Sequence, residues 1–234
     1  MNSRAFSLKF VVAAFAVSLP FFSLSGCGKE AGEETSKLRV INLSPDVDAI
    51  DVLDDGEVLF DRVRYLEATN YERLVSDRHE ISVTLDNSFT TFLDGTRSLS
   101  ADDEYTIFLF DFADDATTEF ITDDNIRPPS GRSKLRFIHA APSFDDVDVY
   151  ITSPGDSITN LTPTFLNTGF REIEDYVDSE SGEYQVRVTE RETKNVLADS
   201  GVFVAGSKQV LTVVLAESAP GGGPLNIVVY TDAG

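Results

Sequence analysis

The sequence predicts an all-β protein made of two tandem antiparallel immunoglobulin-like β-sandwich domains after an N-terminal lipoprotein signal peptide. The first observation is a repeat, because the motif KLRVINLSP at residues 37–45 returns as KLRFIHAAP at residues 134–142. A long motif that occurs twice indicates one duplicated unit. The second observation is the period-two alternation of apolar and polar residues from residue 37 onward, which is typical of half-buried strands.

The first segment of the chain is typical of a secretory signal. Residues 1–9 carry Arg4 and Lys9 and no acidic side chain, and residues 10–22 are almost wholly apolar. A basic segment followed by an apolar one of this length predicts export, since the apolar stretch is short for a membrane span.

A lipobox-like tetrad follows the apolar stretch. It consists of Leu24, Ser25, Gly26 and Cys27. The resemblance to bacterial lipoboxes implies cleavage after residue 26 and lipid on the Cys27 thiol, whereas the alternatives are an ordinary signal with an incidental cysteine or an uncleaved span. Cys27 is the only cysteine, so it has no disulfide partner within the chain. An anchor in the cell envelope follows, and Gly28 favours the outer membrane, on its periplasmic or surface face, if the source is Gram-negative.

The remaining chain divides by composition. Residues 27–36 are polar and lack periodicity, which predicts a flexible tether. Residues 37–126 and 133–234 hold the two copies of the repeat and form the predicted β-sandwich domains. Residues 127–132 contain two prolines and lack a strand pattern, so we expect a semi-rigid linker there.

Hairpin signals support the β assignment. Asp-Asp-Gly at residues 54–56 separates two short apolar runs and is a strong turn signal. The dense runs at residues 105–110 and 210–215 suit central strands, and each leads through a loop into another apolar run, so both copies should end in a hairpin. A helix is conceivable only at residues 65–75 and its counterpart 165–176, where we favour strand and turn.

The charge excludes one class of function. The chain has 19 basic and 40 acidic side chains, a net charge of −21. Loss of the signal would remove Arg4 and Lys9, which leaves 17 basic against 40 acidic side chains, or −23. Such a surface repels phosphate backbones, so we expect no nucleic-acid partner.

Three features resemble one bacterial family. They are the motif at residues 138–142 with the alternating run at 147–150, the aromatic segments around Tyr71 and Phe170, and the run GEYQVRV at residues 182–188. They look like the family called domain of unknown function 4397, which implies exported or lipid-anchored β-sandwich proteins, often in tandem, and transfers no catalytic residue.

The first copy departs from the family pattern. Asn42 stands where the second copy has His139, and Asp-Arg-His at residues 77–79 replaces a glycine turn. Differences of this kind are where function would have diverged between the copies.

Acidic clusters are the candidates for a metal site. Calcium takes six to eight oxygen ligands, often from closely spaced aspartates, so Asp145, Asp146 and Asp148 are weak calcium candidates. Their spacing does not match an EF-hand loop, and solvated turns that discourage sheet pairing explain such clusters equally well. Asp51 recurs as Asp148 inside an alternating run, where either a solvent-facing position or a structural hydrogen bond accounts for it.

Catalytic constellations are weak in this sequence. Its two histidines, His79 and His139, cannot build a zinc cluster without carboxylates, because the chain has no cysteine beyond Cys27. A serine hydrolase needs a histidine after residues 155–158, which resemble one esterase block, and none follows. The sequence therefore predicts a protein that is not an enzyme and has no cofactor unless calcium binds.

The function predicted from the sequence is a non-enzymatic, lipid-anchored envelope protein that binds or supports a partner. The membrane, through lipid on Cys27, and another envelope protein or a polysaccharide are the expected partners. The alternatives are a calcium-stabilised spacer, a carbohydrate-binding surface module and, distantly, a carboxylate-dependent hydrolase using Asp145 and Asp148. The tyrosines that could line a carbohydrate-binding face are Tyr65, Tyr71, Tyr150, Tyr176, Tyr184 and Tyr230.

Overall fold

A computed structural model describes residues 33–233, and in that range every helix or strand element is a β-strand. Sixteen strands of this range form four sheets of four strands each. The predicted all-β class with two β-sandwiches is therefore confirmed. The predicted signal peptide, the lipobox and most of the tether lie outside the described residues.

The first sandwich comprises strands β1 to β8. They are β1 (Thr35–Asn42), β2 (Ala49–Asp54), β3 (Glu57–Arg64), β4 (Glu72–Val75), β5 (Arg78–Leu85), β6 (Thr91–Ser98), β7 (Glu104–Phe110) and β8 (Thr117–Asp123). Its two sheets have the strand orders β4-β1-β7-β8 and β3-β2-β5-β6.

The second sandwich comprises strands β9 to β16. They are β9 (Arg132–Ala140), β10 (Val147–Thr152), β11 (Phe165–Thr168), β12 (Val177–Glu180), β13 (Gly182–Glu190), β14 (Val196–Ala205), β15 (Val210–Glu217) and β16 (Leu225–Ala233). Its sheets have the orders β12-β9-β15-β16 and β11-β10-β13-β14, which repeat the first sandwich strand for strand.

The repeated motif forms the first strand of each sandwich, as the sequence predicts. These strands, β1 and β9, also supply the one parallel pairing in each sandwich, with β7 and β15 respectively. The remaining strand pairs are antiparallel. Because the parallel pair lies at the centre of its sheet, the motif is covered by neighbours on both edges.

The predicted hairpins are present. Asp55 and Gly56 connect β2 to β3 with φ angles of 49° and 84°, the two left-handed residues that a tight hairpin turn requires. Strands β7–β8 and β15–β16 form the closing hairpin of each copy. Residues 65–75 and 165–176 contain turns and short strands without helix, as favoured from the sequence.

Each sandwich has its own apolar core. Side chains such as Val40, Ile107 and Leu109 fill the first, and Phe137 and Val213 belong to the second. Burying one such side chain contributes about 1.5–3 kcal/mol, so these cores supply much of the stability of each sandwich.

A third apolar cluster lies between the two sandwiches. Since side chains alternate across a strand, Phe108 and Phe110 on β7 point away from the first core, and Ile138 and Val214 point away from the second. These outward-facing side chains pack against each other, together with Ile41 and others, as one buried cluster. The strands β1, β7, β9 and β15 are therefore buried on both faces, and residues Glu33–Gly234 form one compact unit.

Candidate functional site

Two reciprocal ion pairs join the sandwiches beside this shared cluster. Arg39 on β1 donates from Nη2 to Oδ1 of Asp232 on β16, over 2.6 Å. Arg136 on β9 donates from Nη2 to Oδ1 of Asp123 on β8, over 2.7 Å. All four side chains are at most 4% exposed. Each sandwich thus gives one arginine and one aspartate to the other, in a two-fold arrangement.

The second oxygen of Asp123 is held by its own sandwich. Its Oδ2 accepts hydrogen bonds from the hydroxyls of Thr106 at 2.5 Å and Tyr71 at 2.8 Å. The Thr106 hydroxyl in turn accepts a bond from Nε of Arg39 at 2.8 Å. One continuous network therefore runs from Arg39 through Thr106 and Asp123 to Arg136.

The second oxygen of Asp232 has the matching partners. Its Oδ2 accepts from the hydroxyls of Thr212 at 2.6 Å and Tyr176 at 2.9 Å. The Thr212 hydroxyl accepts from Nε of Arg136 at 2.8 Å. The guanidinium of Arg136 also lies over the Tyr176 ring, 4.9 Å from its centre. The network repeats with both sandwiches exchanged, which follows from duplication of the unit.

Arg39 and the two tyrosines of this network keep their protons at ordinary pH. Burial would lower the pKa of Arg39, but the carboxylate of Asp232 and the nearby Tyr71 and Asp123 raise it above the ordinary value. Burial raises the pKa of Tyr71 and of Tyr176, so both phenols stay protonated and donate to the carboxylates. Buried charges are costly unless they are paired and hydrogen-bonded, and here every one is.

The tyrosines named as candidates for a carbohydrate-binding face are used elsewhere. Besides Tyr71 and Tyr176, Tyr65 donates to the Glu217 carbonyl at 2.6 Å and Tyr230 to the Leu66 carbonyl at 2.9 Å, both across the contact between sandwiches. The other two candidates are separate from these: Tyr150 is buried and bonded to Lys194, and Tyr184 donates to the Glu180 carbonyl. The six rings do not share one open face.

Asn42 stabilises the bend that follows β1. Its Oδ1 accepts a bond from the Ser44 amide at 3.1 Å, and its Nδ2 donates to the Val47 carbonyl at 3.1 Å. The Asn42 side chain therefore provides hydrogen bonds to backbone groups that have lost their strand partners, at the point where the chain leaves the sheet.

His139 has the same role after β9. Its Nδ1 accepts from the Ala141 amide at 3.2 Å, so Nε2 carries the proton and donates to the Asp145 carbonyl at 3.1 Å. Burial lowers the pKa of His139, which favours this neutral form. The difference between Asn42 and His139 therefore preserves one structural role, although we expected functional divergence there.

Asp51 and Asp148 have the structural role that the sequence left open. Asp148 is 2% exposed, and its two oxygens accept from the amides of Asn167 and Glu192, each at 2.9 Å. Asp51 accepts from the Arg62 amide at 2.8 Å. Asn167 and Arg62 have φ angles of 62° and 52°, so both aspartates hold a left-handed residue of the neighbouring strand.

Two of the three calcium candidates border a cleft of about 620 Å³. Its lining residues are Ser143, Phe144, Asp145, Asp146, Glu190, Arg191 and Leu197. Asp146 accepts a bond from Arg191 at 3.3 Å. Asp148 does not line the cleft, and its oxygens are already occupied by amides. Asp148 therefore has a structural role apart from the cleft, and its carboxylate is engaged where a hydrolase that pairs Asp145 with Asp148 would need it free.

A different trio lies at one end of the first sandwich. Among residues 33–233, Asp54, Asp55 and His79 are the one group of three potential ligand residues whose ligand atoms all lie within 4.8 Å of each other. Nδ1 of His79 is 2.8 Å from Oδ1 of Asp54 and 3.9 Å from Oδ2 of Asp55. Burial would lower the pKa of His79, but hydrogen bonds to the Val75 carbonyl and to Asp54 raise it.

No local pattern in the sequence joins these three residues. Asp54 and Asp55 lie in the turn signal at residues 54–56, and His79 lies 25 positions after Asp54. The signal that joins them is the β2–β5 pairing, in which Asp54 lies opposite Ile81, two residues from His79. Pairing the hairpin with the following strand would have brought them together.

The predicted lipidation site lies outside the described residues. Cys27 and the rest of the lipobox, Leu24, Ser25 and Gly26, precede residue 33, so the anchor stays a prediction. None of the described residues belongs to a helix that is long and apolar enough to cross a membrane.

A family model matches the first sandwich and the start of the second. Residues 36–150 match the model of the family described as domain of unknown function (DUF4397). The match begins in β1, covers the first sandwich and ends at Tyr150 in β10, so it includes both copies of the repeated motif. No curated protein matches the chain.

Several solved structures share a distant likeness. The family 26 carbohydrate-binding module of Eubacterium rectale Amy13K, solved with maltoheptaose, is 10% identical, with 85% of this chain and 98% of that chain covered and a TM-score of 0.24. An α-glucan-binding streptococcal virulence factor is 10% identical, with 76% and 92% covered and a TM-score of 0.26. Likeness at these scores carries no argument about function.

Proposed function

Residues 36–150 match the family described as domain of unknown function 4397, and from that premise we propose that the chain is a non-catalytic, lipid-anchored module of the cell envelope that presents two joined β-sandwiches to an envelope partner. The family description assigns no activity, so the proposal depends on the residues themselves. The observation that carries it is the reciprocal ion-pair network between Arg39, Asp232, Arg136 and Asp123.

This network favours a rigid body over two independently moving domains. Sandwiches joined only by a linker would expose Phe108, Phe110 and Ile138, whereas here these side chains are fully buried against each other. Separation would also leave four charged side chains without their ion-pair partners. A body of fixed shape suits a protein that holds or spaces a partner at a set distance from a membrane.

The positions of the candidate reactive groups support a non-catalytic role. Both ring nitrogens of His139 and of His79 are engaged in hydrogen bonds within the fold. Asp148 gives both carboxylate oxygens to backbone amides. A general base needs a free lone pair within reach of a substrate, whereas these groups are engaged in hydrogen bonds to the backbone and, for Nδ1 of His79, to the side chain of Asp54.

Lipid on Cys27 supplies the membrane attachment in this proposal. The predicted tether of residues 27–36 overlaps the start of β1 at Thr35, so seven residues, 28–34, separate Cys27 from the body. An extended chain of that length reaches at most roughly 25 Å. The two sandwiches would therefore stay close to the membrane and meet other envelope proteins or polysaccharides there.

Co-purification from native membranes tests this function. The wild-type chain and a Cys27→Ser variant are expressed at equal levels, crosslinked in cells and recovered from the membrane fraction. We expect lipid labelling and an envelope component crosslinked to the wild type, and we expect both to be lost with Cys27→Ser.

Two results would overturn the proposal. Unchanged membrane retention and lipid labelling of Cys27→Ser would remove the anchor. Turnover of ester or glycoside substrates by the purified chain, with a rate that follows the protein through every purification step, would show an enzyme in place of a binding module.

A further inference from the structure

We propose that Asp54, Asp55 and His79 form a binding site for one divalent first-row transition-metal ion of the Zn²⁺ class. Imidazole nitrogen with two carboxylate oxygens is a ligand set that suits such an ion, and a water molecule would complete a tetrahedral shell. The site is distinct from the cleft at Asp145 and Asp146, since it lies in the other sandwich.

The distances fit three ligands that converge on one ion. Nδ1 of His79 lies 2.8 Å from Asp54 Oδ1 and 3.9 Å from Asp55 Oδ2, and one ligand atom from each of the three residues lies within 4.8 Å of the other two. Metal–ligand bonds of about 2.0–2.2 Å in a tetrahedral site place ligand atoms roughly 3.3–3.6 Å apart, so small side-chain rotations close the shell.

Two of the three ligands are oriented by further hydrogen bonds. Nε2 of His79 is 2.8 Å from the Val75 carbonyl, an arrangement that directs Nδ1 toward the aspartates. Oδ1 of Asp55 accepts a bond from the Glu80 amide at 2.9 Å, which leaves Oδ2 for the ion. Ligating histidines in metal sites usually donate their other ring N–H in this way.

Comparison of the two sandwiches shows that the contact to the strand carbonyl is common to both copies, whereas the carboxylates beside it are not. Asp51 pairs with Thr84 as Asp148 pairs with Thr189, so His79 corresponds to Tyr184 by the same register. Tyr184 donates to the Glu180 carbonyl, four residues earlier, as His79 contacts that of Val75. The contact to the carbonyl is thus common to both copies.

The other half of the arrangement occurs in the first sandwich alone. The same register puts Ile151 and Thr152 where the first sandwich has Asp54 and Asp55, and neither offers a carboxylate. A nitrogen ligand and two carboxylates therefore appear together in the first sandwich alone. The second sandwich makes the corresponding contact to a carbonyl with Tyr184 and has no carboxylate there. We expect this difference if a metal site was added to one copy of a duplicated fold.

The site is open to solution on one side. The side chains of His79 and Asp54 are 10% and 17% exposed, whereas that of Asp55 is 63% exposed. An ion can enter past Asp55 without movement of the backbone. On binding, Zn²⁺ replaces the hydrogen now shared between Nδ1 and Asp54, and that proton leaves to solvent. The two carboxylates balance the charge of the ion.

Titration calorimetry of the tag-free full chain in detergent with Zn²⁺ tests the site. We expect one ion bound per chain and a higher melting temperature with Zn²⁺ than with a chelator. Asp55→Asn should weaken binding by more than about tenfold, since even outer-shell partners of a metal contribute 10–100-fold. Asp55 is exposed, so this variant should fold normally, and circular dichroism checks that it does. His79→Gln tests the nitrogen ligand in the same way.

The matched control is Asp61→Asn, an exposed aspartate on β3 that lies outside the trio. Loss of Zn²⁺ binding in Asp55→Asn with retention in Asp61→Asn supports the site. Equal affinity in the wild type and Asp55→Asn, or an equal loss with Asp61→Asn, would show that Zn²⁺ binds only the acidic surface in general and would overturn the proposal.

Discussion

The guanidinium of Arg39 and the carboxylate of Asp232, 193 positions apart in the chain, meet at 2.6 Å in the buried contact between the two sandwiches. The pair Arg136–Asp123 repeats this relationship with the sandwiches exchanged. The contact between the two copies therefore depends on two reciprocal ion pairs as well as on shared apolar surface.

Removing one acid should strongly destabilise the protein. Asp232→Ala leaves Arg39 buried without its partner, and breaking a buried pair in this way costs about 3–5 kcal/mol. We expect a decrease of that size in the free energy of unfolding, measured by urea denaturation followed by circular dichroism. Asp123→Ala should give a similar loss, because the network is two-fold.

The neighbouring residue supplies the control. Asp124 also pairs across the contact, with Lys134 at 2.7 Å; the side chain of Asp124 is 60% exposed, whereas that of Lys134 is 7% exposed. Because water reaches Asp124 and screens its attraction to Lys134, Asp124→Ala should lower the free energy of unfolding by less than Asp123→Ala. Equal losses for Asp124→Ala and Asp123→Ala would contradict a special role for the buried pairs.

Lysine should not replace the buried arginines. Arg39 donates from Nε to Thr106 and from Nη2 to Asp232 while its guanidinium lies 4.6 Å from the centre of the Tyr71 ring. An ammonium group cannot make this planar set of contacts. We expect Arg39→Lys to lower the free energy of unfolding by about 1–3 kcal/mol, as for one lost hydrogen bond to a buried group.

Arg73→Lys is the comparison for this prediction. Arg73 is exposed and donates to Thr35 on the surface. Its replacement should leave urea denaturation unchanged within about 0.5 kcal/mol, the usual range for surface substitutions. If Arg39→Lys behaved like Arg73→Lys, the planar contacts would have no energetic weight.

The sequence predicted the strands better than their surroundings. The repeated motif identified β1 and β9, and the dense runs identified β7 and β15 as central strands, because apolar density and alternation are local properties. The residues that cover the outer faces of these strands cannot be identified from a local pattern. Arg39 and Arg136 pair with aspartates 193 and 13 positions away in the other sandwich, and no short motif indicates ion pairs between the copies.

Some of the missed features had a signal in the pattern. Phe108 and Phe110 alternate with Ile107 and Leu109, so both faces of β7 are apolar. A strand with one face in solvent would instead carry polar side chains on that face. The counterpart strand β15 is also apolar on both faces. One apolar face of each strand fills the core of its own sandwich, and the second indicates that the two copies cover each other. The six tyrosines were candidates for an open face in the carbohydrate-binding alternative, because aromatic residues alone do not show which surface is free.

His139 should make stability depend on pH below neutrality. Burial lowers the pKa of His139 in the folded state below its ordinary value of about 6.5. The unfolded chain therefore binds more protons, and the contribution is fully present above pH 6.5 and is lost as the pH falls from there through the folded pKa. His139→Asn keeps an acceptor for Ala141 and a donor for Asp145, as Asn42 does, but cannot titrate.

The measurement is the difference in free energy of unfolding between His139→Asn and the wild type from pH 8 to pH 5. We expect this difference to be constant at high pH and to shift in favour of the variant as the pH falls. Other groups, including His79, are present in both proteins and cancel in the difference. A difference that does not change with pH would contradict the neutral, buried state of His139.

Asp148 should contribute more to stability than Asp51, because its buried carboxylate accepts from two part-buried backbone amides, whereas Asp51 accepts from one amide at the surface. Leaving a buried polar group without its partner costs about 1–3 kcal/mol. Asp148→Ala should therefore lower the free energy of unfolding by roughly twice the loss for Asp51→Ala, measured by urea denaturation. Both losses should be the same in calcium and in chelator, since the oxygens bind amides. A loss for Asp148→Ala that vanishes in chelator would instead show that Asp148 acts through a bound calcium ion, as the sequence had suggested.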